Sequence, residues 1–363
     1  MGETEPAMNR RSVMKFLGIA GVTLGGGLTA ARAFGGNPYY NGPPSDHFDG
    51  TLFFNPGGEE PKGFADLLRW KLGTNAAQWP SRWPQQQPSA SETPARVSGE
   101  TLRVTMVGHA TLLIQVAEFN IITDPVYSYR ASPVGFAGPE RVSEPGIPFD
   151  DLPPIDLILL SHNHYDHLDL DTLARLAQRD NPLVCTPLGN DTIVRDRVPG
   201  MRIVSQDWGD VADIGPLRVH CEPTHHWSAR GVTDRRMALW SSFMVESPAG
   251  RIYFVGDTGF HNGRNYRAAR EKHGPVRLAV LPIGAYEPRW FMRPQHQNPE
   301  EAVVGFQLLD AAYAIGHHWA TFQLTNEAIT EPRESLHAAL DARSIARDRF
   351  RPLIAGETFD VPG

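Results

Sequence analysis

Cysteine is nearly missing from the 363 residues: only Cys185 and Cys221 occur, too few for a disulfide scaffold or a thiolate-rich zinc site. They read as two buried free thiols. Positive charge is not in excess either, since 34 Lys and Arg stand against 41 Asp and Glu for a formal charge of −7. A binder held by nucleic-acid phosphates needs clustered basic surface, and no Lys/Arg run occurs after the extreme N-terminus, so nucleic acid is not an expected partner. Long apolar runs are lacking as well. The uncharged stretch 16–31 is short and glycine-rich, too weak for a membrane span. What is present, 41% hydrophobic and 21% charged residues, suits a globular protein with a large core.

The stretch "MNRRSVMKFLGIAGVTLGGGLTAARAFG" places Arg10–Arg11 and Lys15 before a mildly apolar segment and ends on Ala31-Arg32-Ala33. Paired arginines, a weak apolar run and a small-x-small site resemble a twin-arginine export signal. Residues 1–33 are therefore expected to be a signal peptide, with the periplasm or cell envelope as destination. That route carries folded proteins.

Residues 34–100 are rich in Pro, Gly, Trp and Gln and read as an extended arm wrapping the rest, with one short helix near 62–72. The texture changes over 101–363. "LRVTMVG", "TLLIQVAEF" and "NIITDPV" are β-rich runs separated by turns. "IDLILLS" is a continuous apolar run, as a strand buried on both faces should be. "LDLDTLARLAQRD" has apolar residues at helical spacing, "ALWSSFMVESPAGRIYFVGDTG" reads as a hairpin turning at Pro-Ala-Gly, and a helix is expected near 299–310. The whole implies a layered α/β domain with active residues on loops at strand ends.

The loop after "IDLILL" reads "SHNHYDHLD" and holds His162, His164, Asp166 and His167 within six positions. In extended chain, alternate side chains point the same way, so His162 and His164 can reach one ion while Asp166 and His167 point elsewhere. Two half-sites then need ligands from elsewhere. Asp257 in "FVGDTGF", His225 or His226 after "LRVHCEPT", and His317 or His318 after "AAYAI" all follow apolar strands and are the candidates.

His162-x-His164-x-Asp166-His167 resembles the signature of the metallo-β-lactamase superfamily. "VGHATLLIQ", "TDPVYSYRASPVGFAGPERV", "PTHHWSARG", "LPIGAYEPRWFM", "QHQNPEEAV" and "HHWATFQLTNE" look like the branch typified by N-acyl-phosphatidylethanolamine-hydrolysing phospholipase D, and the similarity runs over about 39–360. The resemblance implies an αββα sandwich with an extended N-terminal arm and two Zn²⁺ ions, Fe or Mn being admitted by the same donors. By position it assigns His162, His164 and His226 to the first ion, Asp166, His167 and His318 to the second, and Asp257 to a bridge. His226 is preferred to His225 because it directly precedes Trp227, and His318 to His317 by the alignment on "HWATF". Asp166, Asp257 and His296 are the expected catalytic side chains, acting with a metal-bridging hydroxide as nucleophile.

Around these, His109 and Asp124 are expected to brace ligands, and Arg230, Asp234, Arg235 and Arg236 to form a structural ion-pair cluster. Tyr286, Trp290, Phe291 and Trp319 read first as core aromatics, with an apolar wall beside the metals as the alternative. The implied function is a dizinc phosphodiesterase acting on a phospholipid-like or other small substrate, with peripheral membrane contact an open partner. Hydrolysis of a lactone or cyclic sugar phosphate, and a non-catalytic metal-binding envelope protein, are the alternatives. Diiron redox chemistry ranks lower, because that branch sets Glu where this chain has His164.

Overall fold

The computed structural model describes residues 36–73, 76–83 and 93–363. The expected export signal at 1–33 lies outside the described residues.

The N-terminal arm packs along the surface of the domain. Its Phe48 and Phe53 are fully buried against Leu239 and Trp240, and the Phe53 amide donates to the Arg236 carbonyl at 2.8 Å. It contributes helix α1 (Phe64–Gly73), whose Trp70 indole donates to Asn326 Oδ1 at 3.0 Å.

Alternating apolar residues then form two sheets. The first opens with an antiparallel meander, β1 (Leu102–Gly108), β2 (Thr111–Val116) and β3 (Phe119–Thr123). It continues parallel through β4 (Leu157–Leu159), β5 (Leu183–Pro187) and β6 (Arg202–Gln206). Parallel neighbours need crossovers, and α2 (Leu170–Arg179) and α3 (Asn190–Arg197) supply two of them. The second sheet starts with the antiparallel strands β7 (Val211–Ile214), β8 (Leu217–Glu222), β9 (Ser242–Ser247) and β10 (Gly250–Phe254). Helix α4 (Arg264–His273) leads to β11 (Leu278–Pro282), and the short α5 (Arg289–Met292) and α6 (Pro299–Leu308) lead to β12 (Tyr313–His317). Helix α7 (Glu331–Ala342) precedes β13 (Phe350–Arg351), and β14 (Thr358–Asp360) returns to pair with β1. The spatial orders are β14-β1-β2-β3-β4-β5-β6 and β13-β12-β11-β10-β9-β8-β7.

Three apolar layers hold this together. Val104, Ile114, Val219, Phe243 and Val280 are among the side chains meeting between the sheets, where Cys185 and Cys221 also lie as free thiols. Leu173, Leu176 and Val194 cover the outer face of the first sheet, and Ala302, Val303, Phe306, Leu336 and Leu340 the outer face of the second. Full burial of a Val, Leu or Phe side chain contributes about 1.5–3 kcal/mol, so an αββα sandwich is the arrangement that buries both faces of both sheets. The strand Leu157–Leu159, the hairpin turning at Pro248–Ala249 and the helix from Pro299 all appear where the sequence places them. Among the described residues no helix is long and apolar enough to cross a membrane.

Candidate metal centre

Five strands of the two sheets end at one edge of the sandwich, and each delivers a polar side chain to it. Asp124 follows β3, the 161–167 loop follows β4, His226 lies beyond β8, Asp257 beyond β10, and His318 follows β12 directly. Two helix starts anchor the surroundings. The Asp169 carboxylate caps α2 by accepting from the Thr172 amide and also accepts from the Ser128 amide at 2.9 Å, tying down the end of the His-rich loop. Asn298 and Glu301 form a reciprocal capping box at α6, which fixes the chain just after His296.

The backbone is strained here. His109, Asp124 and His318 have φ of 57°, 31° and 67°, a conformation that costs a non-glycine residue of order 1–3 kcal/mol and persists where the surroundings over-determine it. Two glycines make room. A Cβ at Gly284 would stand 2.1 Å from the His318 carbonyl oxygen, and one at Gly256, whose φ is +63°, 2.6 Å from Ser161 Cβ.

The result is two groups of converging donor atoms. In the first, His164 Nδ1 lies 2.9 Å from His162 Nε2 and 3.2 Å from His226 Nε2. In the second, His318 Nε2 lies 3.2 Å from His167 Nε2 and 3.2 Å from Asp166 Oδ2. Asp257 Oδ2 stands between them, 3.3 Å from His167, 3.2 Å from His318, 3.7 Å from His226 and 4.0 Å from His162. Bonds of 2.0–2.1 Å around a tetrahedral ion set ligand atoms about 3.3 Å apart, which is the spacing seen.

The tautomers point the same way. His162 Nδ1 meets Ser161 Oγ at 2.9 Å, and that hydroxyl donates to Asp124 Oδ2. His167 Nδ1 donates to Asp124 Oδ2 at 2.6 Å, and His226 Nδ1 to the Gln295 carbonyl at 3.0 Å. Each of these rings therefore turns its Nε2 inward, the outer-partner arrangement of metal-binding histidines. Asp257 Oδ1 and His164 Nε2 are buried without a hydrogen-bond partner. Lone pairs and carboxylates facing one another at these distances fit shared cations better than hydrogen bonds.

Electrostatics separates the two groups. Burial holds His164 and His226 down at about 3 and His162 also well below the ordinary range. Burial also disfavours the His318 cation, but the Asp257 and Asp166 carboxylates outweigh it and raise that ring to about 9. His167 is raised in the same way by Asp257, Asp166 and Asp124 against its burial. The two carboxyls, Asp166 and Asp257, are held well below their usual range by the imidazoles, which overcome desolvation.

His296 Nδ1 is 3.9 Å from Asp257 Oδ2, and burial lowers that imidazole to about 4. His109 Nε2 contacts Asp166 Oδ2 at 3.0 Å, and Asp124 binds both Ser161 and His167, so these two side chains brace the candidate ligands. His225 faces away: its Nδ1 donates to the Pro294 carbonyl at 2.6 Å and its Nε2 accepts from the Glu59 amide at 3.1 Å. His317 is buried on β12, and neither of its nitrogens has a partner.

A cleft of about 650 Å³ opens over the centre, lined by His164, Asp166, Asp257 and His296 at its floor. Its wall differs from the sequence expectation. Phe291 lines it, but Tyr286 turns its hydroxyl to Glu331, 3.1 Å away, and Trp319 lines a separate cavity beside His109. Trp290 is partly exposed at the surface beside Phe291. Phe64, Leu67 and Trp70 of α1 supply the missing apolar surface together with Met292. The apolar spacing of "FADLLRW" marks one face of a helix but not where that face packs. The expected ion-pair cluster is also absent as such. Arg230 donates to the Asn163 and Leu168 carbonyls, Asp234 accepts from the Tyr39 hydroxyl and the Gly231 amide, and Arg235 lies 4.5 Å over the Trp227 ring in the cleft wall. Of the four, only Arg236 forms an ion pair among the described residues, with Glu60 of the arm. Backbone carbonyls and amides took the partners that carboxylates and guanidiniums were expected to share.

Residues 119–319 match the family model of the beta-lactamase superfamily domain. The chain is 39% identical over 272 residues to N-acyl-phosphatidylethanolamine-hydrolyzing phospholipase D 1 of Caenorhabditis elegans, covering 72% of this chain and 76% of that protein. It is 32% identical over 221 residues to the mitochondrial N-acyl-phosphatidylethanolamine-hydrolyzing phospholipase D of Saccharomyces cerevisiae, covering 60% of this chain and 47% of that one. Among solved structures, isothiocyanate hydrolase from Delia radicum gut bacteria shares the fold at a TM-score of 0.55 and 21% identity, covering 71% of this chain and 98% of that chain.

Proposed function

The chain belongs to the metallo-β-lactamase superfamily of metal-dependent hydrolases, in its N-acyl-phosphatidylethanolamine phospholipase D-like branch, and from that membership we propose that it hydrolyses a phosphodiester bond of a phospholipid-like substrate. The observation that carries this reading is the position of Asp257 Oδ2 between two donor groups at the floor of a deep apolar cleft. His162, His164 and His226 would hold one divalent ion and Asp166, His167 and His318 a second, with Asp257 in reach of both groups. Imidazole and carboxylate donors without thiolate suit Zn²⁺ and admit Fe or Mn. Bound there, the two ions lower the pKa of a water and neutralise charge on a phosphoryl oxygen.

The protein's own groups do the rest. Asp166 accepts from His109 on one side and faces His318 on the other, so its carboxylate is oriented before substrate arrives. His296, neutral at pH 7, presents Nδ1 without a hydrogen-bond partner on the cleft side of Asp257, where it hydrogen-bonds the leaving-group or phosphoryl oxygen. Arg235, stacked on Trp227, and Lys62 place positive charge along the cleft for the phosphate. The apolar wall from α1 and Phe291 takes the hydrocarbon, and burying it keeps bulk water from the reacting centre.

The test is a panel of N-acylated phospholipid, simple phosphodiesters and lactones on zinc-loaded protein, with His164→Ala as control. Diester cleavage abolished in the control is the expected result. Slow turnover of every diester at full metal content overturns the reading. The same reading has the folded protein exported by the Arg10–Arg11 signal, and retention of an Arg10→Lys/Arg11→Lys variant in the cytoplasmic fraction is its check.

A further inference from the structure

Strand β8 sends Leu217, Val219 and Cys221 into the core between the sheets. By strand alternation, His220 and Glu222 share the opposite face. The last turn of α4 lies over that face and ends on His273. All three side chains are buried, at 7%, 5% and 6% exposure. His273 Nε2 is 2.8 Å from Glu222 Oε1, the His220 and His273 rings are 4.7 Å apart, and one ligand atom of each residue lies within 4.8 Å of the other two. None of the three belongs to the centre described above.

His220 is the telling member. Both of its ring nitrogens are buried, and neither has a hydrogen-bond partner. Glu246 Oε2, at 3.6 Å from Nε2, is beyond hydrogen-bond reach. A dry imidazole of this kind is unfavourable as a packing element, whereas a neutral imidazole with an inward lone pair is a ready metal ligand. We propose that His220, Glu222 and His273 form a second, structural site for a divalent cation of the zinc class, linking β8 to the C-terminal turn of α4. Two imidazoles and one carboxylate are a zinc-type donor set.

Lys272 holds the place of that cation's charge. Its ammonium is 2.7 Å from Glu222 Oε1, and its side chain is 45% exposed, so it can turn out into water as the ion enters. This makes Lys272 a competitor of the metal, and the two roles predict opposite effects of its removal.

The test is zinc content of the dialysed full-length protein by elemental analysis, compared across variants. His220→Asn and His273→Gln are each expected to lose one equivalent per chain while hydrolytic activity stays. A variant lacking the other centre, His164→Ala/Asp257→Ala, is expected to keep one tight equivalent. Lys272→Ala removes the competitor from an exposed position and is expected to bind zinc at this site at least tenfold more tightly. Zinc content unchanged in His220→Asn and His273→Gln, or no gain in affinity in Lys272→Ala, overturns the proposal. Neither outcome depends on the phosphodiesterase reading, which is decided by the substrate panel.

Discussion

His318 Nε2 stands 3.2 Å from Asp257 Oδ2 and 3.2 Å from His167 Nε2. Two imidazoles raised above neutrality thus face each other across one carboxylate, while the neighbouring group, His164 and His226, is neutral down to about pH 3. The two halves of the centre therefore differ in what a cation must displace.

Metal loading is expected to be pH-dependent in one half only. His318, at about 9 in the metal-free protein, carries a proton at pH 7 that an incoming cation must expel. Below that value each unit of falling pH costs about a tenfold loss in affinity per displaced proton. The His162, His164 and His226 group has no such proton and should load with little change between pH 6 and 9. Titration calorimetry in buffers of different ionisation enthalpy checks this: proton release accompanying only one of the two binding steps is expected, and equal release in both contradicts it.

Asp124 receives the Nδ1 proton of His167 and both donors of Ser161 but offers nothing to substrate. Asp124→Asn is expected to weaken metal binding about 10- to 100-fold. Activity should return when excess metal is supplied. Metal titration of the variant distinguishes this from an unfolded chain, whose activity no excess restores.

His296 should behave in the opposite way. It faces Asp257 from the cleft side, and His296→Gln is expected to keep its metal while kcat falls about 10²- to 10³-fold, within the range for loss of one positioned proton-handling group. Metal content and steady-state kinetics on the same preparation decide it; a variant that loses metal first would make His296 a ligand.

Much of this centre was legible because its residues are local in sequence or follow strands. The 161–167 loop carries His162, His164, Asp166 and His167 directly after the buried run 157–160, and Asp257 sits on a turn whose Gly256 has the positive φ such turns require. What was hidden is whatever depends on the packing of distant segments. Nothing near "FADLLRW" says that α1 crosses to the cleft beside Phe291, a placement made by contacts such as Trp70 with Asn326. Trp319 lies apart from the cleft for a related reason. His318, at φ 67°, reverses the chain, so neighbours in sequence face different cavities. The arginines at 230–236 were read as ion pairs because charge is visible in sequence and free backbone carbonyls are not.

The α1 wall gives a selectivity prediction. Phe64 and Leu67 line the cleft away from the donor atoms, so Phe64→Ala and Leu67→Ala should alter binding of long acyl chains and leave a small soluble diester alone. Removing two or three methylene-sized contacts at about 0.8 kcal/mol each corresponds to a KM for long-chain substrate raised roughly 10- to 50-fold. Parallel kinetics on long-chain and short-chain substrates check it. Equal losses on both would mean that the helix supports the fold rather than the substrate.

The paired histidines at 225 and 226 provide the sharpest contrast. Adjacent in sequence and both buried, they make different bonds: His226 Nε2 joins His164 Nδ1 at 3.2 Å, whereas His225 spans the Pro294 carbonyl and the Glu59 amide of the arm. His226→Ala is expected to lose one metal equivalent and nearly all activity. His225→Ala should keep both metal equivalents and lose about 1–3 kcal/mol of stability, because the buried Pro294 carbonyl is left without its donor. Metal content and a denaturant melt of both variants give the answer. Metal loss in His225→Ala, with His226→Ala fully loaded, would shift the register of the first group by one residue.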